Sequence, residues 1–422
     1  MDFHTTVKRA KSIPWQLFLS VTSLAVLSFA GAKADESHAA PVFAVLSARG
    51  PELKGTWREL KADWSVRIGE GEGTPISGVD VVAVRRLDIP LPSPPMEDHL
   101  LLANGDCIPF QQLRLSEEKI SFRHPRLNAG KDASVPLSAV SVLWRDAPIK
   151  TLDAEKLYRR LRSGKRTRDL ICLLNGDVVA GMLAGADKEN AVVEVDERRV
   201  TVKMAQVAYI AFNTELADAL RPKGVSARLT LVGAREGHGG RMTLTSASAD
   251  ASALTGTTVF GARLRVPLRD VAALDLRNGR AVYLSDLKES KYDFQPFLDA
   301  RWPFAVDGNV AEHDLRLGGS TYAKGVGMHS RSRLSYRLAG AYRRFEALVG
   351  LDDNDGRGGA VRIRVWADGR TLFERELTSR DGAAAIRLSV EDVGELTLEV
   401  DFGRNGDVCD VVNWTDARLI KD

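Results

Sequence analysis

Between residues 41 and 280 this chain repeats itself, and the repeat limits the folds open to it more than any other feature. Four short apolar runs, Val81-Val82-Ala83-Val84, Val140-Ser141-Val142-Leu143, Val207-Ala208-Tyr209-Ile210 and Val271-Ala272-Ala273-Leu274, begin 59, 67 and 64 positions apart. Leu100-Leu101-Leu102-Ala103-Asn104-Gly105-Asp106 and Ile171-Cys172-Leu173-Leu174-Asn175-Gly176-Asp177 each run an apolar stretch into an Asn-Gly turn, and Arg228-Leu229-Thr230-Leu231-Val232-Gly233 opens a third copy. Asn-Gly signals a hairpin because both residues accept positive φ. Phe43-Ala44-Val45-Leu46 opens an earlier, more degenerate copy. Short alternating strands at this period read as an all-β array. A unit of about 60 residues buries too little surface to be secure alone, so neighbouring units are expected to pack together as small, bent sheets or partial barrels.

Two interruptions punctuate the array. Pro90, Pro92, Pro94 and Pro95 make a stiff stretch after the first unit. Residues 151–169 hold Asp153, placed to cap a short helix with Leu157 and Leu161 on its inner face, followed by a crowd of Arg and Lys. The segment reads as a solvated helix and linker and not as a nucleic-acid site. Composition agrees: 44% hydrophobic and 27% charged residues with a net charge of +3 fit neither a disordered chain nor a protein defined by bulk charge.

At the start of the chain, Lys8, Arg9 and Lys11 precede an apolar run from Trp15 to Ala30, and Ala32-Lys33-Ala34 fits the small-x-small cleavage rule. Residues 1–34 are therefore expected to be a signal peptide, with a mature chain starting at Asp35 that is periplasmic, displayed at the cell surface or secreted. No later stretch is apolar enough to span a bilayer. Cys107, Cys172 and Cys409 are an odd set without Cys-x-x-Cys spacing, so they read as small buried or tolerated thiols, with a Cys107–Cys172 bridge as the alternative.

From residue 281 the texture changes. Trp302, Trp366 and Trp414 appear, and Val361 to Trp366 and Leu396 to Val400 alternate crisply around an Asp368-Gly369 hairpin turn. The organisation that follows is units one and two over 41–150, helix and linker over 151–169, units three and four over 170–280, and a β-sandwich or jelly roll over 281–422. Gly325-Val326-Gly327-Met328-His329-Ser330, Gly350-Leu351-Asp352-Asp353, Trp366-Ala367-Asp368-Gly369 and Asn413-Trp414-Thr415-Asp416-Ala417-Arg418-Leu419, in that order, resemble the NPCBM family of carbohydrate-binding modules. That resemblance implies a galactose-binding-like jelly roll, a carbohydrate ligand and a structural calcium.

Sugars are held by aromatic faces against C–H surfaces and by planar polar groups on vicinal hydroxyls. The residues of that kind are His329, Arg331, Asp352, Asp353, Asn413, Trp414 and Asp416, together with Trp302. Asp352, Asp353, Asp355 and Asp410 are the candidate calcium ligands, since hard cations gather several oxygens; no cofactor is otherwise required. The chain has no Gly-x-Ser-x-Gly elbow, no His-Glu-x-x-His helix and no phosphate loop. The expectation is a non-catalytic, exported protein that binds a glycan or polysaccharide and no nucleic acid. The alternative is a structural or adhesive envelope protein whose modules bind other proteins, and a glycoside hydrolase acting through two converging acids stands third.

Overall fold

The structure, a computed structural model, describes residues 40–69, 71, 73, 75–116, 118–297 and 300–421. The expected signal peptide and cleavage site lie outside them. Among the described residues no helix is long and apolar enough to cross a membrane. The fold is all-β apart from one α-helix and a few 3-10 turns.

The four repeated apolar runs are the strands Val81–Arg86, Val140–Trp144, Val207–Ala211 and Val271–Arg277. The last three are each entered through a 3-10 turn, Leu137–Ala139, Met204–Gln206 and Leu268–Asp270. In each, the first strand residue donates its N–H to the first carbonyl of the turn, which swings the chain round a tight corner. Pro136 and Pro267, at φ −56° and −58°, preset two of these corners. The Asn-Gly openings are turns in which Gly105 and Gly176 sit at φ 85° and 93°. Asn104 and Asn175 accept the N–H groups of Asp106 and Asp177 through their side chains.

The units join in nested pairs. Val81–Arg86 pairs antiparallel with Val271–Arg277, so unit one meets unit four, and Val140–Trp144 pairs with Val207–Ala211, so unit two meets unit three. Single rungs at Arg241 opposite Cys107, Ala186 opposite Leu115 and Ala249 opposite Leu60 tie the remaining strands together. The segments 41–150 and 170–280 are thus interleaved halves of one sheet system around one apolar core that runs from Phe43 to Leu276.

The helix is Ala154–Ser163, with the Asp153 carboxylate accepting from Lys156 N at its start. Leu157, Tyr158 and Leu161 pack on Trp144 and Tyr209. The expectation of a solvated helix and linker fails here, because the basic side chains are spent on the C-terminal domain. Arg159 donates to the carbonyls of Asp307 and Val306, while Lys156 and Arg160 share Glu312. Arg166 is buried and donates to the carbonyls of Leu161, Phe212 and Ser141.

Beyond residue 280 two sheets face each other. One contains the strands Gly325–His329, Val411–Ile420 and Arg344–Leu351; the other contains Ser332–Arg337, Glu395–Phe402 and Ala360–Ala367. Alternation delivers Val326, Met328, Phe345, Val349 and Trp414 from the first sheet and Leu334, Tyr336, Ile363 and Leu398 from the second into one core. Cys107 and Cys172 are buried, Cys409 is exposed, and all three thiols are free, so the alternative Cys107–Cys172 bridge is not formed.

Candidate functional site

Register brings the predicted residues to one edge of the first sheet. His329 lies opposite Val411 and Leu351 opposite Val412, so the ends of these strands are level. The side chains then separate into two groups and a core residue.

Trp414 is the core residue. It is fully buried between the sheets, so its ring has no face to offer a sugar, which corrects the expectation that it stacks on ligand. Its neighbour Asn413 points to the outer face but is also fully buried, donating to Asp352 at 2.7 Å and to the carbonyl of Arg316. Asp352 is 2% exposed and closes a network: its carboxylate takes the N–H groups of Asn354 and Asp355 and the amides of Asn309 and Asn413. Asp353 accepts from the backbone of Gly318 and Gly319. Asp355 accepts from Asn309 and His313, and His313 reaches Asp153 at the helix start, 2.7 Å on each side. Asp416 faces Arg85 of the repeat body at 3.4 Å. These residues are therefore structural and not a ligand surface. Segment 307–322 and the helix cover this part of the sheet, and Gly327 permits it: a Cβ there would come within 2.6 Å of Gly308 O and Asn309 Cα.

The calcium ligands do not fit their role. Among the described residues no group of three or more His, Cys, Asp or Glu side chains is placed to hold a metal ion. Asp352 and Asp355 face N–H donors, Asp353 turns to a backbone loop, and Asp410 accepts from Ser330 Oγ and Ala360 N. Donors occupy the directions from which a cation would bind.

What remains at the edge is the exposed Arg331 and the partly buried Trp302; His329 and Asp410, 3% and 0% exposed, lie inside it, which corrects the expectation that His329 is a surface ligand group. The His329 ring lies parallel to Trp302, centroids 4.9 Å apart and planes 10° from one another. Tyr292 fixes this tryptophan by donating its hydroxyl to the Trp302 carbonyl at 2.7 Å. His329 Nδ1 is 2.8 Å from the carbonyl of Ser330, which can only accept, so Nδ1 carries the proton and Nε2 the acceptor lone pair. Burial holds the imidazole below its ordinary pKa, against the pull of the Ser330 carbonyl and the Asp407 charge, and the ring is neutral at pH 7. Burial pushes Asp410 up to about 6, although Ser330 and the Ala360 N–H favour its charged form.

Sequence reasoning missed the other members of this edge. Phe297 is 54% exposed and meets Phe402 edge-on at 5.5 Å, and Arg331 pairs with Asp401 at 3.4 Å. The available signal was an aromatic and an acid closing the strand Glu395–Phe402 immediately before Gly403-Arg404-Asn405-Gly406. Trp366 lies on the other sheet, its N–H on Glu399 at 2.6 Å and Arg333 over its ring.

Residues 280–420 match the NPCBM/NEW2 domain family, and the C-terminal part of this chain is a domain of that family. A protein of Renibacterium salmoninarum named "Putative endo-alpha-N-acetylgalactosaminidase" is 30% identical over 122 residues, 27% of this chain and 8% of that protein's length. Among solved structures, the CBM51 of Clostridium perfringens GH95 in complex with methyl-galactose is 24% identical, with TM-score 0.30, over 33% of this chain and 99% of that one. The CBM51-2 and INT domains of Clostridium perfringens ZmpB with GlcNAc are also 24% identical, with TM-score 0.31, over 40% and 36% of the two chains. The NPCBM domain is a carbohydrate-binding module and is not itself catalytic.

Proposed function

We propose that this chain is an exported, non-catalytic glycan-binding protein, in which the repeat body is a rigid support and the C-terminal domain holds the saccharide. The observation that carries the reading is the NPCBM match over residues 280–420. The binding surface is the edge built by Trp302, Arg331 and Phe297, with His329 behind Trp302. Trp302 and Phe297 supply aromatic surface, Arg331 donates to ring and hydroxyl oxygens, and the buried His329 ring stacks behind Trp302 and fixes its plane. An edge of this kind is shallow, so affinities in the micromolar to millimolar range, about 4–8 kcal/mol, are expected.

The test is a glycan array probed with the full chain, including galactosides and N-acetylglucosamine, repeated with Trp302→Ala. A positive glycan bound by the parent and lost by a variant that melts normally supports the surface. Equal binding by both moves the site elsewhere, and no binding at all turns the function toward the envelope scaffold. Incubation of the same glycan with the chain, followed by sugar analysis, checks the non-catalytic reading.

A further inference from the structure

The strand Val42–Ser47 leaves the repeat body and turns at residues 48–50 against the NPCBM domain. A cleft of about 520 Å³ opens there, lined by Arg49, Arg343, Arg344 and Arg387, with Glu391 as its one acid. Its volume lies in the range of small-ligand sites.

The arginines are held in place. Arg344 donates to the Ala48 carbonyl and to Glu346, each at 2.7 Å. Arg387 reaches the Gly50 carbonyl at 3.4 Å and Glu346 at 3.5 Å. Glu346 answers three guanidiniums at once, those of Arg344, Arg387 and Arg418, and Asp80 answers Arg49 and Arg280. Ala48, Val82 and Ile420 seal the floor of the junction with apolar contact. Two of the lining guanidiniums, Arg49 and Arg387, keep more than half of their side chains exposed. Guanidinium forks match the paired oxygens of a carboxylate or sulfate and are weakly hydrated, so they retain affinity for such groups in a half-exposed cleft.

From this we infer that the junction is a second saccharide site, selective for sugars that carry carboxylate or sulfate groups, and separate from the Trp302 edge. The assignment of a saccharide, and not another anion, rests on the glycan-binding reading of the domain. Because the cleft draws on both the repeat body and the sandwich, its ligand also clamps the two together, and binding raises the melting temperature of the full chain.

The test is calorimetric titration of the full chain with three probes: oligogalacturonate, a heparin-derived sulfated oligosaccharide, and a neutral galacto-oligosaccharide. The expected result is binding of at least one acidic probe that weakens at least ten-fold in the double variant Arg49→Ala/Arg387→Ala and in 0.5 M salt, and that survives Trp302→Ala. The uronate and sulfate arms tell which oxyanion is read. Arg344 is left intact because its bond to Ala48 holds the junction, and thermal melting confirms that the double variant is folded. Failure of both acidic probes to bind the parent, or equal binding by the folded double variant, overturns the site. Binding of duplex DNA or phosphatidylserine vesicles with the same affinity and the same dependence on Arg49 and Arg387 overturns the saccharide assignment. A neutral probe that fails while an acidic probe binds through the cleft supports the second site and removes the Trp302 edge, so the two readings fail separately.

Discussion

The Asp352–Asn413 network and the Trp302–His329 pair lie at the same edge of one sheet, yet they differ in what surrounds them. In the network every carboxylate of Asp352, Asp353 and Asp355 meets donors from the protein, and a helix from the repeat body closes over it. At the pair, Trp302 is only partly buried and Arg331 beside it is exposed, while His329, 3% exposed, backs the tryptophan ring and commits its Nδ1 proton to a backbone carbonyl. Polar groups that satisfy one another hold a fold together; accessible side chains on a fixed frame, here Trp302, Phe297 and Arg331, are left for a ligand.

The largest effect should come from opening the network. Asp352→Ala removes the acceptor shared by the amides of Asn309 and Asn413 and by the N–H groups of Asn354, Asp355 and Arg316, and is expected to destabilise the chain by about 3 kcal/mol. Chemical denaturation measures it, and a variant as stable as the parent breaks the contrast between the two regions.

Next is Trp302→Ala, which should weaken glycan binding at least ten-fold, about 1.4 kcal/mol, with a smaller loss of stability than Asp352→Ala. Titration and melting of the same preparation separate the two quantities.

A smaller effect concerns pH. Burial pulls the His313 pKa down, but bonds to Asp153 and Asp355 outweigh it and the net shift is upward from 6.5. The other charges on this interface are Glu155 with Arg316, Glu312 with Lys156 and Arg160, and Asp314 near Arg159 and Arg162. A group whose folded pKa is raised stabilises fully below its unfolded value and loses that contribution as pH rises through the folded value. Stability should therefore fall gently as pH climbs from about 6.5, and His313→Gln should flatten that part of the profile.

The smallest expected effect is that of metal. With donors already facing Asp352, Asp353, Asp355 and Asp410, neither calcium nor chelator should move the melting temperature by more than about 1 °C, since no stabilising linkage operates without a site. A clear upward shift with calcium would place a metal among these acids.

The sequence made the repeats legible because their signal is local. Val140-Ser141-Val142-Leu143 and its relatives announce strands, and Asn104-Gly105 announces a turn, from chemistry within a few residues. The nested pairing of units one with four and two with three depends on which closing strands meet, and nothing in the period encodes it. The motifs around Gly325, Asp352 and Asn413 identified the domain, but the same motifs misled about the site. That Trp414 turns inward is decided by strand phase: Val412 and Trp414 share the inward phase, which becomes certain only once the register to Gly325–His329 is known, while Trp302 lies outside any strand. The helix was legible from Asp153, Leu157 and Leu161. Its docking was not, because the partners of Arg159 are backbone carbonyls at residues 306 and 307, which every sequence possesses.

The most direct test is a crystal structure of the chain with a bound neutral glycan taken from the array. The account predicts a sugar ring against Trp302, with a hydroxyl within hydrogen-bond distance of the Arg331 guanidinium and the Asp352 network unchanged. A sugar bound at Asp352 and Asn413 with the helix Ala154–Ser163 displaced, or one bound on the other sheet over Trp366, would contradict it.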